Sequence, residues 1–582
     1  MPPDFLNNNN INIYERGILM KVSEMPYERV TVEAAKADIE KIIEKIKNAG
    51  SANDLKEARD EYNKISEEVE TACSLANCRF TLNTRDEFYN AEMDYYDNAM
   101  PLFSEIENEY KKAMLVSPFK AEAEKLINPR VFKEFEMSLK TFSPEVIEDL
   151  QQENALVTRY SKFMGELAFE FEGEKMPLSV LRGKLEADDR ETRRKAAFAI
   201  GKTMEENAAT FDEIFDGLVK IRTKIARKLG FENFVELGYY RMGRVDYDKE
   251  MVAAFRKSVE TDVVPAVYEL KQSIKNRLGI DKIMYYDDAV SVTGEMPRPV
   301  IDSDEIFRRA LNMYKDMKPE IGEFMQKMLD AEAFDVEARD GKWGGGYCTT
   351  FPKYKQPFIL ANFNGTSGDI DVITHEFGHA LAADYMFRFS EPDFPVGMET
   401  HECHSMSMEF LCHKYMDEFF GKNADKYRYK HIVDALSFIP YGVIVDEFQH
   451  IVYENPDLTP AERKSEYLKL EKKYRPYLSF EGIPYLEQGT RWQYQMHIFE
   501  SPFYYIDYCI AQCVAFGFLK LSYNDFESAL DKYIGFLKKT GSVSLGELVN
   551  GAGLESPFGE NALSKTVEST VKVIRDIESK LF

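Results

Sequence analysis

The sequence predicts a mostly α-helical protein with a small β-sheet set just ahead of one chemistry-bearing helix. Two observations lead there. Apolar residues recur at helical spacing through most of the chain, and strand-type alternation is confined to two short stretches. No fixed-period repeat of the solenoid kind is present.

Residues 1–19 hold Pro2, Pro3 and the run Asn7 to Asn10, and are set aside as an N-terminal extension; Met20 opens a cleaner segment. Val32 to Lys47 reads as an amphipathic helix, with Ala35, Ile39, Ile42, Ile43 and Ile46 near the helical period and Gly50-Ser51 ending it. Patterns over 54–72, 86–115, 146–165, 190–229 and 248–277 predict further helices, with Glu/Lys pairs on their solvent faces. The alternation Leu167 to Glu172, running into Gly173, predicts a hairpin. A second strand is expected at Phe358 to Phe363, behind the glycine-rich loop Gly344-Gly345-Gly346-Tyr347, and a helix after Gly365.

Composition narrows the partners. The chain has 582 residues and a net charge of −26, from 74 basic and 100 acidic side chains. That excess disfavours nucleic acid and anionic membrane surfaces. No apolar run approaches the roughly 20 residues of a membrane span, and no secretory signal opens the chain. Seven scattered cysteines argue against a disulfide framework, so a reducing, cytoplasmic compartment is expected. Cys509 and Cys513 share a helix face and read as small buried side chains.

The chemistry lies in Asp371 to Leu381. Thr366 and Asp369 are spaced as a capping box, so a helix should begin there. His375 and His379, one turn apart, project to the same side and can reach one Zn²⁺ at about 2.0–2.1 Å each. Glu376 adjoins the first of them and can reach a water at the metal without binding it. This is the HExxH pattern of zinc peptidases. The competing reading is a pair of hydrogen-bonded structural histidines. All eight histidines lie between His375 and His497, however, which ordinary surface use does not produce.

A catalytic zinc takes three protein ligands and one open position. Candidates for the third occupy Glu399-Thr400-His401-Glu402-Cys403-His404, and spacing alone does not choose among them. Glu402 is favoured because Glu409 follows two helical turns later on the same face, where one carboxylate can ligate and the other support the site. His401 and His404 flank Glu402, and His404 is expected beside Glu409 as a supporting residue. His413, His431 and His450 read as structural histidines.

The segments His375-Glu376-Phe377-Gly378-His379-Ala380 and Glu402-x-x-Ser405-x-x-Met408-Glu409 resemble the M3 family of zinc peptidases, nearer to oligoendopeptidase F than to thimet oligopeptidase. Gly344 to Cys348, Phe358 to Thr366 and Ser501 to Tyr508 carry the same likeness, which is strong over about residues 340–520. The resemblance implies a helical fold of two halves enclosing a deep substrate channel, with one Zn²⁺ per chain on its floor. It implies an endopeptidase acting on short, unstructured peptide substrates. By the same resemblance the third ligand is Glu402, the C-terminal catalytic histidine is His497, and the transition-state tyrosines are Tyr505 and Tyr508; Tyr504 stays unassigned. An N-terminal helical region over 20–190 and a catalytic region over 191–582 are the expected divisions.

Gly345, Gly346 and Tyr347, with Leu360, Ala361, Asn362 and Phe363, are expected to bind substrate, the strand 358–363 pairing with the peptide backbone. Two other readings compete. A zinc carboxypeptidase of helical fold needs a cationic or backbone trap for the substrate's carboxylate, and the sequence shows no clear one. A peptide-binding protein with structural zinc needs a fourth ligand, such as Cys403 or His401, and has no use for Glu376.

Overall fold

Helices begin where the sequence supplies a cap and an apolar stripe together. In the computed structural model, which describes residues 19–390 and 396–582, α1 (Val32–Lys47) starts at Thr31, whose hydroxyl accepts from Ala34 N. It buries Ala35, Ile39, Ile42 and Ile46. α2 (Ala52–Leu82) opens on a capping box of Ser51 and Asp54, and α3 (Glu87–Val116) on Asp86. These three helices share an apolar cluster running from Ala35 to Phe135, separate from the main core. The extension set aside in the sequence lies, except for Leu19, outside the described residues; Leu19 packs partly buried against the main core.

Two of the long expected helices are interrupted. The 190–229 pattern divides into Arg190–Glu206 and Ala208–Lys228 at Asn207, whose side chain donates to Thr203 O at 2.8 Å. The 248–277 pattern passes through one π-helical turn, Val259–Val263, ahead of Pro265, whose ring and missing N–H cannot continue a regular α-turn.

The hairpin forms as β1 (Phe169–Phe171) against β2 (Glu174–Met176), turning at Glu172 and Gly173, both at positive φ. The second sheet has three strands: β3 (Phe334–Glu337), β4 (Tyr347–Phe351) and β5 (Gln356–Phe363), in the order β3-β5-β4. β5 runs parallel to β3 and antiparallel to β4, so Leu360 faces Asp335 on one side and Tyr347 on the other. The expected substrate-pairing strand is therefore the centre of its sheet, not an edge. Its backbone is already engaged on both sides, and Gln356 to Ala361 are buried. The sheet edge beside the glycine-rich loop is β4.

The end of α2 holds that loop. Trp343 N donates to Thr81 O at 2.9 Å, Thr84 N to Gly341 O at 2.7 Å, and the Tyr347 and Thr81 hydroxyls lie 2.6 Å apart. Behind the sheet come α4 (Gly368–Phe389), α5 (Met398–Leu411), α6 (Ala424–Glu454) and, near the C-terminus, α7 (Tyr505–Asn524). α5 packs between α4 and α7. No described helix is long and apolar enough to cross a membrane. All seven cysteines are free thiols, with Cys509 and Cys513 both buried.

Candidate metal centre

The start of α4 is locked differently from the expected capping box. Asp369 reaches past Thr366 and accepts from Asn364 N and Gly365 N, both at 2.8 Å, while Thr366 Oγ1 accepts from Gly368 N at 3.2 Å. The cause is the tight turn at Gly365, at φ 80°, which aims two amides at the carboxylate. Partway along α4, Gly378 lets α5 approach closely. A Cβ there would stand 2.7 Å from Ser405 Cα and 3.0 Å from His404 O.

That approach brings Glu402 across from the two histidines. Its Oε2 lies 3.2 Å from His375 Nε2 and 3.4 Å from His379 Nε2, and the three donor atoms all fall within 4.8 Å of one another. Ligands about 2.0–2.1 Å from a tetrahedral zinc stand about 3.3–3.4 Å apart, so both measured separations match an edge of that tetrahedron. Two imidazole nitrogens and one carboxylate oxygen are also the donor set of a catalytic zinc. The residues therefore fit the ion.

Two of the three candidate ligands, His375 and Glu402, are held from behind. His375 Nδ1 is 2.6 Å from Glu409 Oε1, leaving Nε2 free for a metal. Glu409 Oε2 is 2.7 Å from His431 Nε2, His431 Nδ1 is 2.8 Å from His413 Nε2, and His413 Nδ1 is 3.3 Å from the Tyr523 hydroxyl. A chain of polar contacts thus runs from the centre to Tyr523, which is 41% exposed. Burial by itself would raise the pKa of Glu402, but His379 and His375 hold it well below the usual range, so it is an anion. Its Oε2 accepts from Ser405 Oγ at 3.1 Å, and its Oε1 accepts the Tyr504 hydroxyl.

Tyr504 and His431 are the supporting residues that sequence reasoning passed over. Their signals were faint: one tyrosine among 33, and one member of the histidine cluster. Tyr504 follows Phe503, which adopts φ 69°. This strained residue is held by Gln449 Oε1 on its N–H at 2.9 Å and by the Arg244 guanidinium on its carbonyl. Its ring fills a notch at Gly238, where a Cβ would lie 2.4 Å from it.

His497 stands beside the same turn. Its ring centroid lies 4.9 Å from that of Tyr505 and 5.6 Å from those of Tyr504 and Tyr508, with Nε2 3.4 Å from the Tyr508 hydroxyl. Burial pushes the His497 pKa down to about 4. Burial likewise raises Tyr508 and Tyr505, so all three are neutral near pH 7. Glu376 is buried beside the ligands; burial raises its pKa, offset in part by His375 and His379.

Other expected residues sit elsewhere. His404 directs Nε2 to Thr540 Oγ1 at 2.9 Å, and His379 and Glu402 act on it at longer range. Glu399 points towards Tyr247, and Cys403 is a buried thiol. His401, pushed by burial to about 4, neighbours His379. His450 contacts Tyr239 at 3.2 Å. Of the expected substrate residues, Asn362 Nδ2 ties β5 to the loop by donating to Trp343 O and Gly345 O at 2.9 and 2.7 Å. β4, which carries Cys348, packs against α4, the helix of Glu376; burial, and secondarily the Glu376 charge, pushes the Cys348 thiol well up.

Comparison with known proteins bears on this geometry. A family model described as the peptidase M3 N-terminal domain matches residues 22–142, and one described as peptidase family M3 matches residues 184–568. The chain belongs to peptidase family M3. Within the family it is similar to oligopeptidase PepF of Bacillus subtilis, 23% identical over 68% of this chain and 59% of that protein. An oligoendopeptidase F homolog of Borreliella burgdorferi is 23% identical over 67% of this chain and 65% of its own length. The aligned stretch thus spans less than two thirds of either relative. Among solved structures, PZ peptidase A with inhibitor 2 superposes at TM-score 0.93 and 42% identity, covering 96% of this chain and 99% of that one. Oligoendopeptidase-F from Enterococcus faecium shares the M3 fold at TM-score 0.61 and 17% identity, over 94% and 98% of the two chains.

Proposed function

We propose that this M3 peptidase is a zinc-dependent endopeptidase that hydrolyses internal bonds of short, unstructured peptides in a channel between two helical halves. The observation that carries the reading is the convergence of His375, His379 and Glu402 beside the buried carboxylate of Glu376. Zinc bound by these three residues supplies Lewis acidity, polarising the scissile carbonyl and activating a water.

The remaining work belongs to side chains. Glu376 takes the proton of the attacking water and returns it to the leaving amine. Its raised pKa brings it nearer the range in which one group can do both. Tyr508 and neutral His497 present O–H and N–H donors to the developing oxyanion, and Tyr505 is the third member of that wall. Because β5 is occupied on both sides, the peptide backbone pairs with the β4 edge, Tyr347 to Phe351, beside Gly345 and Gly346; Leu360 to Phe363 form the wall behind.

Mass spectrometry of products from a peptide blocked at both ends tests this reading. Internal cleavage that stops with a chelator and returns with zinc is expected. Cleavage only of peptides with a free C-terminus, one residue or a dipeptide at a time, would favour a carboxypeptidase instead.

A further inference from the structure

Arg491 makes no ion pair or hydrogen bond to any described residue. Its Nε and Nη1 are buried without a partner. Its guanidinium stacks on Tyr441 at 3.8 Å from the ring centroid, and Tyr494 lies 5.6 Å away. The neighbouring Arg475 shows what neutralisation looks like in the same place: it also faces Tyr441, at 5.0 Å, but is bonded to Glu471 and approaches Asp288 at 3.5 Å. In a chain with 100 acidic side chains, no carboxylate of the described residues lies within ion-pair distance of Arg491; Asp288, already held by Lys271 and approached by Arg475, acts on it only at longer range. A desolvated cation without a close counter-charge is costly unless a partner arrives from outside.

The position of Arg491 is tied to the metal centre. The Tyr441 hydroxyl donates to Gln495 Oε1 at 2.6 Å, and Gln495 Nε2 lies 3.0 Å from His497 Nδ1. The Tyr505 ring stands 5.7 Å from Tyr441 and 4.9 Å from His497. One wall therefore runs from His497 through Tyr505 and Tyr441 to Arg491, spanning no more than about four residues of extended peptide at about 3.3 Å each. Arg182, on the short helix Leu178–Gly183, is a second cation without an ion pair among the described residues, and both arginines act on the Tyr505 phenol.

We infer that Arg491 is the anchor for a substrate carboxylate, foremost the C-terminal carboxylate of the peptide, a few residues beyond the scissile bond. The inference rests on the proposed peptidase reading. Nη2, the one guanidinium nitrogen not sealed off, can give a carboxylate a charge-assisted hydrogen bond with the full cation behind it. Every linear peptide brings one such group at its C-terminus. Anchoring it at fixed reach from His497 would favour short peptides and set how many residues follow the cut. Arg491 thus supplies the cationic trap that the sequence did not show, in an arrangement an endopeptidase can use for measuring length.

The test measures binding and cleavage separately. Zinc-loaded Glu376→Gln protein is titrated with one fluorescent octapeptide in three forms: free acid, C-terminal amide, and amide with aspartate at the penultimate position. The free acid is expected to bind about tenfold or more tighter than the amide. Adding Arg491→Gln should abolish that difference by weakening the acid alone, while Arg491→Lys keeps part of it. In the active enzyme, Arg491→Gln should raise KM for the acid and leave kcat, and both constants for the amide, nearly unchanged. If the aspartyl amide recovers the affinity, the bound group is a carboxylate of either origin. Equal binding of acid and amide to protein carrying Arg491 overturns the inference whether or not the enzyme cleaves, and needs no folded Arg491 variant. Acid-selective binding by an enzyme that cleaves nothing would keep Arg491 and remove the peptidase reading.

Discussion

At the scale of the residue, the proposed ligands, base and donors are different side chains, and each substitution has its own readout. Glu376→Gln removes a base but no ligand, so zinc content should be unchanged while turnover falls by about 10²–10⁴; a wild-type rate in the purified variant would end that role. Tyr504 and Tyr508 make a sharper pair, because both are partly buried phenols on one turn. Tyr504 donates to the ligand Glu402, whereas Tyr508 faces His497. Tyr504→Phe should lower zinc affinity by about 10–100-fold, as loss of a ligand's hydrogen-bond partner does. Tyr508→Phe should retain zinc and lower kcat by about 10²–10³. Competition with a chromogenic chelator and steady-state kinetics distinguish them, and the reverse pattern would exchange their roles. The sequence could not show this difference: the resemblance assigns Tyr508 and leaves Tyr504 unassigned, and which partner each hydroxyl meets depends on the strained Phe503 between the flanking helices.

At the scale of the element, the legible features are those in which neighbouring residues share a helix or strand. The HExxH face, the apolar stripe of α1 and the hairpin at Gly173 follow from local periodicity and local backbone needs. The central position of β5 did not, because strand order depends on what packs around it. Nor did the crossing that carries Glu402 to the histidines, which rests on one missing side chain at Gly378. Gly378→Ala puts a methyl where Ser405 Cα and the His404 carbonyl stand, and backbone atoms cannot swing aside as a side-chain tip can. α4 and α5 should separate, lowering both melting temperature and zinc affinity, the latter by more than about tenfold. Unchanged zinc affinity would mean that the crossing does not set the metal geometry. A second element-scale test uses Glu399, at the start of α5, which burial pushes up to about 7 against an ordinary value of 4.5. The folded state then binds more protons than the unfolded chain between about pH 4.5 and 7, so this group's contribution is fully present below that window and is lost as pH rises through it. Glu399→Gln should flatten the fall of melting temperature between pH 5 and 8 by about 1–3 °C. An identical slope in both proteins would show that Glu399 does not titrate there.

At the scale of the whole molecule, two kinds of electrostatics act on a peptide and differ in range. Arg491 works within hydrogen-bond distance, and its state could not be read from sequence, since an arginine is unpaired only with respect to everything that folds around it. The net charge of −26 is legible from composition alone and acts at long range. Its field should draw cationic peptides towards the enzyme and slow anionic ones. Salt shortens that field from about 30 Å at 0.01 M to about 10 Å at 0.1 M and about 3 Å at 1 M. Three peptides that share the residues around the scissile bond, with net charges of about +2, 0 and −2 set by remote residues, therefore make the decisive comparison. Between 0.01 and 0.5 M salt, kcat/KM should fall by about threefold or more for the cationic peptide, change little for the neutral one and rise for the anionic one. At saturating substrate kcat should respond far less, because steering acts on encounter rather than on the bond-breaking step. A common salt response for all three would assign the effect to the protein's own conformation and set aside the long-range field as a selector of substrates.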